Sequence, residues 1–234
     1  MSVLTACITN LGKYNEGELA YFPLNLPTTK KEVQAALKRI GVDGVRYEEL
    51  FITDYDSDIS GLSRYLGEYE NIDELNHLAH LIDDLSPAEV EILEAILEKG
   101  DHNDSAKELI NLVQNLDCYI FYPDIRDTDD LGVFYVQSGV LEVPAHLENY
   151  FDYEAYGRDI AMEEDGEFVD GGYIVYGGGF TEIYSGRENI PDEHRIFAYP
   201  KLNIREQLIA YQEVADRAQA VPANVVPTLA HGDR

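Results

Sequence analysis

Negative charge is concentrated in one block of this chain, and that block limits the shapes into which the chain can fold. Residues 43–172 carry 34 acidic and six basic side chains, whereas residues 1–42 have a net charge of +2 and residues 173–234 a net charge of −2. The whole formal charge of −28 therefore belongs to the middle block. Self-repulsion of this size destabilises a compact state, so the concentrated charge indicates a use. Adaptation to high salt would acidify all surfaces alike and does not fit this pattern.

The charge and the composition exclude several classes of function. A chain this acidic is repelled by nucleic acid and by anionic membranes, and it should be drawn to a basic partner. No apolar run approaches the roughly 18–20 residues of a membrane span, and the first residues do not resemble a signal peptide. Cys7 and Cys118 fit no metal or redox spacing and are typical of a reducing compartment, so we expect a cytoplasmic protein.

The first part of the chain predicts a small α+β unit followed by helices. Residues 3–9 and 50–54 read as strands, and Thr29-x-x-Glu32 is a capping box for a helix over about 30–40 that ends at Gly41. From about 58 to 116 the apolar period becomes helical. The clearest helix spans 87–99, between Ser86 and Gly100, and a further one begins near Asp104 or Ser105. Short helices with short connections predict a helical bundle.

The second part predicts another α+β unit. We expect a strand at 118–121, a helix near 127–138, and strands at about 172–176 and 180–184 that flank Gly177-Gly178-Gly179 as a hairpin. A last helix is expected over 203–219, with a disordered tail after it. The predicted fold class is thus α+β, an elongated multi-domain chain whose small sheet-and-helix domains flank a helical-bundle domain. The predicted domain boundaries are 1–70, 71–116, 117–184 and an extension, 185–234.

Acidic residues repeat along the middle block at spacings that favour one exposed surface. On the helix 87–99, three glutamates fall within about 60° of one another, opposite the apolar arc. Thirty-four carboxylates at the charge density of duplex DNA, one charge per about 1.7 Å, would span about 58 Å. The predicted partner-binding carboxylates are Asp54, Asp56, Asp58, Glu68, Glu70, Asp73, Glu74, Asp83, Asp84, Glu91, Glu94, Glu98, Asp127, Asp129, Asp130, Glu163, Glu164 and Asp165.

Other constellations give weaker signals. Asp54-x-Asp56-x-Asp58 starts like a calcium loop, but Ile59 stands where the loop needs glycine. His77, His80, Asp83 and Asp84 share one helix, so a metal-dependent enzyme that uses His77, His80 and Asp83 is the alternative from another class. The tyrosines of the third unit suit either a core or a subunit interface; they are Tyr119, Tyr122, Tyr135, Tyr150, Tyr153 and Tyr156.

Two stretches resemble the ArdA antirestriction family. They are LGKYNEGEL at 11–19 and VPAHLENYFDYEAYGRD at 143–159, and YEE at 47–49, ITDY at 52–55 and IDELN at 72–76 follow in the family's order between them. The resemblance covers roughly residues 4–176. After Leu19 the family usually continues with Gly and Trp, whereas this chain has Ala-Tyr-Phe, so the local packing there is expected to differ.

The resemblance implies a function and a quaternary structure. ArdA proteins are DNA mimics of plasmids, conjugative transposons and phages, and they are elongated three-domain homodimers joined through the C-terminal domain. They occupy the DNA-binding groove of type I restriction–modification enzymes and protect incoming DNA, without catalysis and without a cofactor. The resemblance therefore implies a homodimer in the cytoplasm of a bacterial host that binds the methyltransferase core. The alternative target is another DNA-binding system, such as a CRISPR effector or a nucleoid protein.

The resemblance also points to residues that shape the third domain and the dimer. These are Pro144, Leu147, Asn149, Tyr150, Asp152, Tyr153, Tyr156, Gly157, Arg158 and Asp159. Arg158 is one of only six bases in the acidic block, so we expect it to be buried in an ion pair with a carboxylate. The extension beyond the shorter family members is nearly neutral, and its sequence leaves three roles open: extension of the sheet, support of the dimer, or contact with a different target.

Overall fold

The structure, a computed structural model, describes residues 2–102 and 104–220. That part of the chain contains eight α-helices and six strands, and the strands form two small antiparallel sheets. This composition confirms the α+β class. The strands are β1 (Leu4–Asn10), β2 (Tyr21–Leu26), β3 (Leu50–Ser57), β4 (Tyr119–Tyr122), β5 (Glu167–Val169) and β6 (Gly172–Tyr176). The helices are α1 (Leu11–Asn15), α2 (Lys30–Ile40), α3 (Ile72–Asp83), α4 (Pro87–Lys99), α5 (Ala106–Val113), α6 (Thr128–Gln137), α7 (Tyr153–Glu164) and α8 (Ile204–Ala220).

The N-terminal unit is a three-stranded sheet in the order β2-β1-β3 with α2 packed on it. The predicted caps of α2 are present, since Thr29 and Glu32 form the capping box and Gly41 ends the helix in the left-handed conformation with φ 82°. Along β1, Leu4, Ala6 and Ile8 are fully buried. Their period of two directs one face of the sheet into the core.

Helices α3, α4 and α5 connect the two sheets through one continuous hydrophobic cluster. That cluster extends from Leu4 in β1 through Leu78 and Leu112 to Ile174 in β6. Ser86 and Glu89 form the second predicted capping box, and Gly100 ends α4 with φ 90°. The prediction that helical structure begins near residue 58 is wrong, because only a 3₁₀ turn over Leu62–Tyr65 forms before α3.

The C-terminal unit combines the sheet β4-β6-β5 with the helix pair α6 and α7. The two helices approach closely at Gly132 and Gly157, where an added Cβ would collide with the carbonyl oxygens of Tyr153 and Thr128. Glycine is therefore required at these two crossing points for steric reasons. Helix α6 confirms the prediction at 127–138.

The predicted hairpin across Gly177-Gly178-Gly179 is wrong. Strand β6 is central and pairs with β4 and β5, and residues 180–184 form no strand. Two asparagines of the α5 region provide the hydrogen bonds that a strand neighbour would have supplied. Asn111 accepts from the backbone of Ile183 and Tyr184, and Asn115 accepts from Thr181.

Residues 177–203, here called the return segment, run back along the helices to the N-terminal unit. Asp73 accepts hydrogen bonds from the backbone N–H groups of Ile196 and Phe197, each 2.7 Å long. The Tyr199 hydroxyl then donates to the Glu48 carbonyl at 2.8 Å. Helix α8 follows, as predicted, whereas the expected disordered tail lies outside the described residues. No helix within 2–102 and 104–220 is long and apolar enough to cross a membrane.

Candidate partner-binding surface

Most of the predicted carboxylates lie on the surface, on successive elements of the acidic block. The exposed members of the predicted set are Asp54, Asp56, Asp58, Glu68, Asp83, Asp84, Glu91, Glu98, Asp127, Asp129, Asp130, Glu163 and Asp165. They follow β3, the end of α3, α4, the start of α6 and the end of α7. The exposed set therefore draws on all parts of the block rather than on one loop.

The remaining predicted carboxylates are half-buried and hold the fold together. Glu74 accepts from the Tyr184 hydroxyl at 2.9 Å, Glu94 from the Ser60 N–H at 2.8 Å, and Glu164 from the hydroxyls of Tyr135 and Tyr173. Glu70 accepts from the Gly67 N–H, and Asp73 binds the return segment. Sequence patterning could not separate these structural carboxylates from the exposed ones, because both kinds occur in the same acidic runs.

Helix α4 lies along a shallow acidic groove. Glu91, Glu94 and Glu98 line it together with Asp170, whose N–H donates to Glu98 at 2.9 Å. Two arginines, Arg64 and Arg126, lie at its edge and make no ion pair within the described residues. Asp170 was absent from the predicted set, since only the fold brings it beside α4.

Acidic residues also occupy helix ends where the helix dipole disfavours them. Asp83 and Asp84 end α3, and Glu163, Glu164 and Asp165 end α7 with no basic residue in its last turn. Negative charge is unfavourable at a helix C-terminus because the unpaired carbonyl groups point there. These positions therefore lower the stability of the helices, which supports a use for the charge in binding.

Three of the six bases in the acidic block are taken up in ion pairs. Arg46 lies 2.6 Å from Asp43, and Lys99 and Lys107 pair with Asp101 and Glu182. Although burial opposes the shift, hydrogen bonds from Arg46 hold the pKa of Asp43 below its usual value. Asp43, at the start of the block, is thus a buried structural carboxylate rather than part of the exposed surface.

The motif at 143–159 forms a loop and the start of α7. Asp152 caps α7 by accepting from the Ala155 N–H at 2.9 Å, and Tyr153 and Tyr156 pack edge-on against Phe151. Several motif residues are exposed, namely Pro144, Leu147, Asn149, Tyr150, Arg158 and Asp159. The expected burial of Arg158 in an ion pair is wrong within the described residues, because its side chain is exposed and forms no ion pair there.

This loop forms a largely apolar groove. It is lined by Leu141, Val143, Pro144, Leu147, Tyr150 and Phe151 together with one carboxylate, Glu142, and Tyr150 is 85% exposed. The other tyrosines of the unit differ in burial, so some suit a core and others suit a subunit interface. Tyr119 is buried, whereas Tyr122, Tyr135, Tyr153 and Tyr156 are half-buried.

The histidines of α3 contact a third histidine that sequence reasoning missed. His77 Nδ1 lies 2.9 Å from His194 Nδ1, and the His80 ring stacks on His194 with 4.1 Å between centroids. Burial, then the neighbouring His194 and His80, lowers the pKa of His77. Within residues 2–102 and 104–220, no group of three or more His, Cys, Asp or Glu residues is arranged to hold a metal ion. Asp54 and Asp56, the start of the calcium-like pattern, lie in β3 rather than in a loop.

Comparison with protein families gives one match. A family model described as "Antirestriction protein (ArdA)" matches residues 6–175. No curated protein matches the chain. The family match includes the whole acidic block, and it ends within β6, before the return segment and α8.

Proposed function

Because the chain belongs to the ArdA family of antirestriction proteins, we propose that it acts as a DNA mimic that occupies the DNA-binding groove of a type I restriction–modification enzyme. In this proposal the protein blocks restriction of incoming mobile-element DNA in the bacterial cytoplasm. It is not an enzyme and uses no cofactor. The observation that carries the proposal is the set of exposed carboxylates along β3, α3, α4, α6 and α7.

The chemistry of the target groove explains why carboxylates would bind there. A groove that binds DNA presents Lys and Arg to phosphates, and much of its affinity comes from release of condensed counterions. A surface of fixed carboxylates attracts the same cations, and it carries no bases to be read. The few exposed arginines nearby, Arg64 and Arg126, leave the α4 groove strongly acidic.

The apolar groove around Tyr150 supports the proposed homodimer. Two copies of an acidic chain repel each other unless they meet at a surface of low charge and apolar character. Leu141, Val143, Pro144 and Leu147 supply such a surface, while Tyr150 offers a large apolar ring with a polar end. We propose that this groove forms the contact between the two copies.

Competition against DNA tests the proposed function directly. A purified type I methyltransferase core is bound to a fluorescent duplex that contains its recognition site, and the protein is added at several salt concentrations. Displacement should occur at moderate salt and weaken steeply as salt rises. Failure to displace the duplex at moderate salt would show that the target is wrong, and a flat salt response would contradict phosphate mimicry.

A parallel experiment separates the alternative targets. The same competition is run with a CRISPR effector and with a nucleoid protein in place of the methyltransferase core. Displacement from either of these at lower protein concentration than from the methyltransferase core would assign the mimic to that system instead.

A further inference from the structure

Helix α8 contacts the N-terminal unit through its polar side. Glu206 lies 3.5 Å from Lys38, and Glu213 lies 3.2 Å from Arg46. Ala210, between them on this side, is fully buried. The contact of α8 with the body of the protein is thus largely made by charged groups.

The apolar side of α8 faces away from the body. Ile204 is 78%, Leu208 65% and Tyr211 62% exposed, and Ala215 is exposed on the same side. At 100° per residue these four positions fall within an arc of about 60°. The centre of that arc is about 160° from the mean direction of Glu206, Ala210 and Glu213, which face the body. Their spacing of four, three and four residues is that of a coiled-coil seam. A surface helix normally turns its apolar side towards the core and its polar side towards solvent. In α8 the apolar stripe faces solvent, so it has no partner within the described residues.

The charges beside the stripe indicate which partner would fit. Arg205 and Asp216 are exposed, lie on the same flank of the stripe, and form no ion pair within 2–102 and 104–220. They stand 11 positions apart, on either side of Tyr211. An antiparallel second copy of α8 that crosses at Tyr211 would bring each Arg205 beside the Asp216 of the other copy. A parallel copy would place the two flanks on opposite sides of the pair, so Arg205 and Asp216 would not meet each other.

The overall charge also favours a second copy here. The acidic block repels another molecule of this chain over most of its surface, whereas α8 carries three acids and two bases. A basic partner would be drawn to the acidic block instead of to this nearly neutral helix. We propose that α8 binds α8 of a second copy in antiparallel orientation, through Ile204, Leu208, Tyr211 and Ala215.

This contact is separate from the groove around Tyr150 and does not depend on the proposed function. Both contacts would be isologous, that is, formed by the same surface on each copy. Two different isologous contacts with separate two-fold axes join dimers into a larger assembly, of which a D2 tetramer is the closed form.

Cysteine cross-linking tests the orientation. In a full-length Cys7→Ser background, Tyr211→Cys should form a disulfide-linked dimer on mild oxidation. A mixture of Arg205→Cys and Asp216→Cys chains should form a mixed disulfide in preference to either self-linked product. Cross-linking of Tyr211→Cys without the mixed Arg205→Cys and Asp216→Cys product would show that the two helices are not antiparallel, and absence of all of these products would likewise overturn the proposal.

Sedimentation of the full chain tests the energetics. Leu208→Glu should raise the dissociation constant for self-association about tenfold or more, whereas Ile183→Glu, at an exposed apolar residue outside α8, should leave it unchanged. Arg205→Asp should weaken association, and Arg205→Asp combined with Asp216→Arg should restore it. Equal masses for all variants would overturn the proposal. Association that appears only after removal of 221–234 would show that this segment covers the stripe, and it too would overturn the proposal.

Discussion

Asn111 is the residue that fastens the return segment to α5. It is 4% exposed, and its side chain bonds the backbone of Ile183 and Tyr184 at 2.8 Å. Asn111→Ala leaves buried backbone groups without partners, so we expect a loss of about 2–3 kcal/mol in the free energy of unfolding. Urea denaturation followed by circular dichroism measures it. Asn149→Ala, at an exposed position, is the matched control and should change stability by less than about 0.5 kcal/mol.

Gly157 sets the distance between α6 and α7. A Cβ at this position would collide with the Thr128 carbonyl oxygen, which belongs to the backbone and cannot turn aside. We therefore expect Gly157→Ala to destabilise the helix pair by about 1–3 kcal/mol. Gly67→Ala is the control, because its added Cβ would lie 3.6 Å from the Glu70 side chain, an ordinary contact. Equal thermal unfolding curves for the two variants would contradict the steric explanation.

At the scale of elements, the contact between α3 and the return segment should depend on pH. Burial and the neighbouring histidines lower the pKa of His77 and of His194, while Glu193 and Asp84 act against the shift at His194. A lowered pKa means that the unfolded chain binds more protons than the folded one just below pH 6.5. Stability from these histidines is therefore present above about pH 6.5 and is lost as the pH falls below it.

The variant His194→Gln tests this pH dependence. It removes the ring that contacts both His77 and His80, so the fall in unfolding free energy between pH 7 and pH 5 should be smaller than in the unchanged chain. Comparison of the two proteins cancels the contribution of the many carboxylates. The exposed His146 provides the control, since His146→Gln should leave the slope unchanged. Identical slopes for all three proteins would show that the cluster does not titrate as described.

The elements differ in how far the sequence specifies them. The helices α2 and α4 are predictable to the residue because capping boxes and left-handed glycines are local signals. The false strand at 180–184 had strand-like residues, but its hydrogen bonds go to Asn111 and Asn115, which are about 66–73 positions away in sequence. Such contacts depend on tertiary structure, and local periodicity carries no signal for them. The same reason explains why His194 and Asp170 were missed.

At the scale of the whole molecule, the carboxylates fall into two groups. One group accepts hydrogen bonds from other parts of the chain, and the other accepts none within the described residues. Glu91, Asp83 and Asp129 are exposed and accept no hydrogen bond within the described residues, whereas Asp73 binds two backbone N–H groups of the return segment. Exposed carboxylates repel one another across the block. Neutralising Glu91 or Asp83 should therefore leave stability equal or higher, while neutralising a bonded carboxylate such as Asp73 should lower it.

The same division predicts the response of binding to substitution. In competition against DNA for the methyltransferase core, Glu91→Gln, Asp83→Asn and Asp129→Asn should each weaken binding slightly. If each carboxylate replaces one phosphate, the slope of log affinity against log salt should fall by about 0.9 for each substitution, and the triple variant should show the sum. Asp73→Asn is the control that should reduce stability with a smaller effect on the salt slope. Loss of all binding from any one of the three exposed substitutions would indicate a localised site rather than a surface that replaces the phosphates of a duplex.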